Sequence, residues 1–237
     1  MLEQIQKIVR TNNETAEKIG ILRKENAERE KLIYKRLARI EIENAIGSFA
    51  LLYSGGRYES LMYFFADTQQ IYFQRSDIGI YEGREAIQSY FMNLGKHALP
   101  GSFRMMLLTS PVIEIAGDGK TAQGMWYING LEAIKNPMAP KDPAADMWIN
   151  DKLAVEFIKT AGGWKILRMT ICEEMRGYYH KSWGEYSVVP DYPEFDTFPE
   201  PTRPSDRHIP FRADRKSQKN LETPQPYGTY EELCDHF

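Results

Sequence analysis

Between Lys152 and Trp183 the chain reads as two β-like runs joined at Ala161-Gly162-Gly163, and this hairpin constrains the fold more than any other stretch. Glycine reaches the positive backbone angles of a tight turn without steric cost, and the flanking runs KLAVEFIKT and WKILRMTIC carry residues that suit a pleated surface. Upstream, Phe103–Leu108, Val112–Ile115 and Thr121–Asn129 have the same character, with the turn Ala116-Gly-Asp-Gly119 between the last two. Long strands joined by short turns predict an antiparallel, strongly curved sheet that includes Leu153–Lys159 and Trp164–Cys172. On strict alternation Trp164, Ile166, Arg168 and Thr170 share a face, so a cation would stand among apolar neighbours if that face is the inner one.

Helical spacing precedes the strands. Apolar residues such as Leu2, Ile5, Ile8, Ile19, Leu22 and Ile33 recur three or four positions apart among Glu, Lys and Arg over residues 2 to 46, and Thr11-Asn12-Asn13 could cap a break between two helices. The stripe is thin, and KENAEREK within it is almost wholly polar. Such a helix either pairs with a second subunit or is a solvated lead into the domain. From Ile40 the stripe thickens through Ile46, Phe49, Ala50 and Tyr53, predicting the first helix of the globular part, ended by Gly55-Gly56. A short helix over Arg57–Phe65, a strand within Gln69–Asp77 and a helix over Arg84–Leu94 follow.

Beyond Trp183 the composition changes. Eight of the 13 prolines lie between Tyr186 and Phe237, together with the rings of Tyr186, Tyr192, Phe195, Phe198 and Phe211. Solvated disorder usually lacks so many aromatics, so the expectation is an extended arm packed on its own domain or on a neighbouring subunit, with a solvated tail as the alternative. The organisation predicted is a helical extension over 1–39, one domain over 40–184 and a Pro-rich tail over 185–237, assembled as a homo-oligomer, dimer or trimer, through helix and tail.

Interspersed charge, 30 basic against 33 acidic residues, gives no field for nucleic acid or an anionic membrane. Cys172 and Cys234 form no metal-ligand spacing, so no metal is expected, and Cys172 reads as a small buried hydrophobe. The opening MLEQIQKIVR is charged and no run approaches membrane-span length, so the expected location is the cytoplasm, with both thiols reduced.

The order helix, short helix, strand, helix, antiparallel strands comes with a set of short signatures. These are Tyr81-Glu-Gly-Arg-Glu-Ala-Ile87, Thr109-Ser-Pro-Val-Ile-Glu-Ile115 with Gly117-Asp118 beyond, Thr121-Ala122 and Gly162-Gly-Trp-Lys-Ile166. In that order they make residues of about 40 to 180 resemble a SnoaL-like member of the nuclear transport factor 2 (NTF2-like) superfamily. The resemblance implies an α+β cone, a curved sheet wrapped around helices and enclosing a pocket. It also implies proton-moving chemistry like that of dehydratases, ketosteroid isomerases and polyketide cyclases, although the same cone serves as a binding or dimerisation module. Tyr53 fits the family's first-helix tyrosine, Tyr58 stands where its aspartate is expected, Met106 or Leu107 replaces its histidine, and Arg168 matches an arginine of bile-acid dehydratase-like members.

With that dyad substituted, the expected catalytic set is Tyr53, Tyr58, Arg168 and His97. Arg168 would stabilise an enolate and favour phenolate at the tyrosines, or else form an ion pair with a carboxylate such as Glu173. His97 either serves the pocket mouth or is an exposed loop histidine. Substrate contacts are expected from Trp126, Asn129, Arg104, Met106 and Trp148, the last in a 135–150 loop that is either surface or a cover over the cavity. Glu156 and Lys152 read as charge on the outer surface of the sheet. The function implied is a cofactor-independent lyase (dehydratase) or isomerase acting on a hydrophobic cyclic or polyketide-like small molecule. The alternative is a non-catalytic ligand-binding or assembly protein on the same fold.

Overall fold

The computed structural model describes residues 1–96, 98–136, 139–182, 184, 198–216 and 221–232. It divides into two compact units, Met1–Ile40 and Glu41–Phe237.

Helix α1 runs uninterrupted from Leu2 to Ser54. The break expected at Thr11-Asn12-Asn13 is absent, because the hydroxyls turn back onto the helix instead of capping a new one: Thr11 Oγ1 donates to the Lys7 carbonyl at 3.0 Å and Thr15 Oγ1 to that of Thr11 at 2.8 Å. Within the first unit, every residue from Met1 to Tyr34 is exposed. The helix closes where the glycine pair predicts. Gly56 adopts φ 69°, and the N–H groups of Gly56 and Arg57 donate to the carbonyls of Tyr53 and Leu52 at 3.2 and 2.9 Å, the paired closure of a Schellman motif. Among the described residues no helix is long and apolar enough to cross a membrane.

The second unit continues with a 3-10 turn over Tyr58–Phe64, then β1 (Tyr72–Arg75), β2 (Gly79–Glu82), α2 (Gly83–Lys96), β3 (Phe103–Ile115), β4 (Thr121–Ile134), β5 (Ala145–Thr160) and β6 (Gly163–Tyr178). They form one six-stranded sheet in the order β2-β1-β6-β5-β4-β3, with β1 parallel to β6 and every other pairing antiparallel. This is the expected α+β, NTF2-like arrangement. Three strands outrun the sequence pattern. In particular β5 begins at Ala145, so Trp148, expected in the loop, is a strand residue stacked 5.5 Å from Tyr179. The two runs predicted within β3 are one strand with a register shift between Thr109 and Val112, where Ser110 takes φ 53°.

The core fixes which face of the sheet is inner. Phe49 of α1 meets Phe65 and Phe91, and Phe73 of β1 lies 4.9 and 5.1 Å from the rings of Tyr90 and Phe91 on α2. Residues directly opposite in adjacent strands share a face. From Phe73 the inner face therefore carries Met169, the row Arg75–Ile171–Leu153–Trp126 and the row Glu173–Asp151–Ile128–Leu108. The outer face carries Tyr72–Arg168–Glu156 and Gln74–Thr170–Ala154–Met125. Trp126 packs inward against Phe157 and folds its ring over Gly124, so a Cβ there would overlap the indole. Gly124→Ala is expected to lower stability by about 1–3 kcal/mol through overpacking, read from the denaturant midpoint; an unchanged midpoint would mean that the ring relocates freely.

Several described tail residues pack on the chain's own sheet and on helix α2. Leu221 joins Met125, Ala154 and Cys172 in an apolar cluster, and Gln74 Nε2 donates to Asp206 Oδ1 at 2.8 Å. Arg203 extends the sheet by an antiparallel bridge to Ile80, and Phe198 stacks on Tyr90 at 5.1 Å. Tyr186, Tyr192 and Phe195 lie outside the described residues.

Candidate active site

The predicted site residues separate onto the two faces. Tyr53, Tyr58, Arg104, Met106 and Trp126 face inward. The rings of Tyr53 and Tyr58 meet edge to face at 5.7 Å, Arg104 Nη1 donates to the Tyr58 hydroxyl at 3.4 Å, and Arg104 Nε stands 3.4 Å from Glu132 Oε1. The backbone N–H of Met106 donates to Ser54 Oγ at 2.9 Å, tying β3 to the end of α1. Asn129, Trp148 and Arg168 face outward. Asn129 hydrogen-bonds Thr109 and Asn150 on its own face, and with Trp148 it borders an outer groove of about 380 Å³. His97 lies outside the described residues.

Arg168 therefore does not meet Tyr53 and Tyr58. The reason is a β-bulge: Glu156 opposes Arg168 while Phe157 opposes Ile166, so Leu167 is an extra residue and the alternation resets there. Ile166 faces in and Arg168 faces out, with its Nε 3.6 Å from Glu156 Oε2 and its guanidinium between the rings of Tyr72 and Tyr230 at 5.5 and 6.0 Å. Its carboxylate partner is Glu156 and not Glu173. Glu156 is correspondingly 6% exposed, because the tail covers it and Tyr230 donates to its Oε2 at 3.3 Å. Nor is Tyr53 poised as a phenolate: burial, then the neighbouring Tyr90, pushes it well above the ordinary tyrosine range, against the weaker pull of Arg104 and Arg75.

A second bulge assembles what sequence reading missed. Glu173 opposes Asp151 while Met175 opposes Asn150, so Glu174 is extra and both Glu173 and Arg176 face the interior. Arg176 Nη1 stands 3.2 Å from Asp77 Oδ2 and 3.2 Å from Glu173 Oε2. Arg75, from the end of β1, grips Asp77 with two hydrogen bonds of 3.0 and 2.8 Å. Burial opposes the charge on Asp77, yet Arg75 and Arg176 hold its carboxyl well below the usual carboxylate range. From the tail, His208 Nε2 lies 3.8 Å from Glu173 Oε1, and that pairing raises the imidazole above its ordinary value.

Asp151 behaves in the opposite way. Burial pushes it up to about 8, overriding Arg176 and Arg75, with Glu173 and Asp77 adding to the rise. Its Oδ1 and the Tyr90 hydroxyl are buried without a hydrogen-bond partner among the described residues. Arg75 is the common neighbour, its charge acted on by Asp77, Tyr90, Tyr53 and Asp151. The interior thus holds a carboxylic acid that is mostly protonated at neutral pH, two protonated tyrosines and fixed guanidinium groups. That inventory can donate a proton and stabilise developing negative charge.

The sequence pattern of the SnoaL-like domain family matches residues 35–170. The chain belongs to that family. The match takes in Tyr53, Arg75, Asp77 and Asp151 and stops before Glu173, Arg176 and the tail. Among solved structures, a candidate scytalone dehydratase of Novosphingobium aromaticivorans superposes with a TM-score of 0.51 at 14% identity, over 62% of this chain and 90% of that one. A candidate NTF2-family dehydratase of Streptomyces avermitilis gives 0.50 at 15%, over 59% and 97%. LinA gives 0.53 at 12%, over 64% and 96%. At such identities these likenesses establish the shared fold. A search of curated proteins returns no match.

Proposed function

We propose that this SnoaL-like protein is a cofactor-independent lyase (dehydratase) or isomerase that acts on a hydrophobic cyclic or polyketide-like small molecule, with Asp151 as its proton-transfer group. The observation that carries the reading is the buried Asp151 carboxyl, raised to about 8 and with an Oδ1 that no described residue satisfies. A buried acceptor and donor left open, Asp151 Oδ1 and the Tyr90 hydroxyl, suit a polar group of a guest molecule. Protonated Asp151 donates to a departing hydroxyl; ionised, it removes a proton next to a carbonyl. Arg75 and Arg104 stabilise negative charge on the enolate oxygen, Tyr53 and Tyr58 donate hydrogen bonds, and Trp126, Ile128 and Met106 supply the apolar wall. Family membership and the dehydratases among its structural likenesses support the same reaction class. The cytoplasm is part of this proposal, supported by the buried, unpaired thiol of Cys172.

The test is turnover of a panel of cyclic ketones and β-hydroxy ketones, followed by mass spectrometry across pH 5–10. Wild-type activity is expected to show a limb near pH 8, and Asp151→Asn should lower the rate by about a hundredfold or more while the circular dichroism stays native. Equal rates in the two proteins would remove Asp151 from the chemistry. Binding without turnover by the wild type would make the protein a ligand carrier instead.

A further inference from the structure

The exposed stretch of α1 has a seven-residue order that the domain's chemistry does not use. Ile5, Asn12, Ile19, Asn26, Ile33 and Ile40 follow one another at intervals of seven, and Ile8, Thr15 and Leu22 each stand three residues after the first three. These are the a and d positions of a coiled-coil seam, with asparagine at alternate a layers. The seam is uncovered: Ile5 is 56%, Leu22 57% and Ile33 57% exposed. A helix in water that buries none of its apolar stripe has little to hold it, because helical stability in proteins comes mostly from packing that face.

We propose that residues 1–40 pair with the same residues of a second copy as an antiparallel two-stranded coiled coil. Charge decides both the occupant and the direction. In a parallel pair, Arg29 and Arg36 at d would each face their own copy, Lys18 at g would face the partner's Arg23 at e, and Glu25 would face the partner's Glu30. Each of these contacts is repulsive. The antiparallel alignment that sets Ile19 against the partner's Leu22 replaces them. Ile33 then meets the partner's Ile8, Asn26 meets the partner's Thr15, Asn12 meets the partner's Arg29, and Lys18 meets the partner's Glu25. Every one of these layers occurs twice by symmetry, and the flanking Leu37 falls opposite the partner's Leu2. Apart from Ile5 the apolar side chains of the stripe find apolar partners, and four of its five polar core positions find hydrogen-bonding ones. Only Arg36, whose aliphatic stem lies over the partner's Ile5 while its head reaches solvent, departs from like-with-like. The self-complementary pattern is what an interface between identical chains related by a two-fold axis requires.

The experiment uses the full chain. Sedimentation equilibrium is expected to return about twice the 27.5 kDa chain mass. Lys18→Glu changes one exposed side chain and should raise the dimer dissociation constant roughly tenfold, since two attractive pairs become repulsive. Adding Glu25→Lys restores both pairs and the wild-type constant. A monomer at all concentrations, a trimer, or a constant unmoved by Lys18→Glu would overturn the proposal. Tighter association of Lys18→Glu would overturn it too, because only the parallel pair gains from setting the new carboxylate against the partner's Arg23. Circular dichroism of each variant confirms that the helix itself is retained.

Discussion

Arg176→Met is expected to destabilise the protein by about 3–5 kcal/mol at pH 7, the range for removing one partner of a buried ion pair. The guanidinium is 1% exposed and is held between Asp77 and Glu173, each also 1% exposed. Methionine fills much of the same volume, so the loss comes from leaving carboxylates buried beside one another with Arg75 on Asp77 and the tail's His208 on Glu173 to answer them. The deficit should shrink as pH falls and the Asp77 carboxyl, no longer held down by Arg176, protonates. A double variant, Arg176→Met with Glu173→Gln, should recover part of it by removing one of the stranded charges. Urea unfolding at pH 7 and pH 4.5 measures both effects. A loss below about 1 kcal/mol would mean that water already reaches the cluster.

Asp151 sets the second large effect, and its sign is opposite to that of an ordinary ion-paired carboxylate. In the unfolded chain it titrates near the usual value of about 4, whereas in the folded protein it does so at about 8. Below pH 4 both states hold the proton and Asp151 imposes no penalty. Between these values only the folded state holds it, so stability falls with rising pH, by up to about 1.4 kcal/mol per unit, and levels off above pH 8. Asp151→Asn cannot ionise. It should therefore unfold close to the wild type at pH 4.5 and at distinctly higher denaturant at pH 9, a divergence bounded at about 5 kcal/mol. Asp77, with its lowered carboxyl, contributes stability above the usual carboxylate range and loses it as pH falls. His208, raised by Glu173, contributes below its unfolded value and loses that as pH rises through its folded one. A pH-independent gap between wild type and Asp151→Asn would show that the carboxyl is solvated.

Much of the architecture was legible because local rules act alone there. The glycine pair after Tyr53, the Gly162-Gly163 turn, the helical spacing from Arg84 and the alternation of the long strands each follow from one residue's backbone freedom or one periodicity. The site was less legible because it depends on where periodicity fails. Leu167 and Glu174 carry no sequence mark that distinguishes a bulge from regular strand, yet they turn Arg168 out and bring Glu173 and Arg176 in. Strict alternation thus selected the one arginine of β6 that faces the tail. Asp151 was hidden differently, lying at the edge of a Pro-containing stretch read as loop, where a single acid between Asn150 and Lys152 looks like surface. Arg75 ends a four-residue strand and Asp77 lies two residues on, and only the approach of β6 reveals that both side chains are buried.

The tail's position on the outer face has a consequence for synthesis. Once Tyr178 has left the ribosome every strand of the sheet exists, but among the described residues the apolar cover of Met125, Ala154 and Cys172 is Leu221, which arrives about forty residues later, a few seconds at ordinary elongation rates. During that interval the nascent sheet presents an oily patch to chaperones and to neighbouring nascent chains. A message truncated anywhere before the codon for Leu221 would make that exposure permanent, leaving an intact set of strands on a product prone to clump.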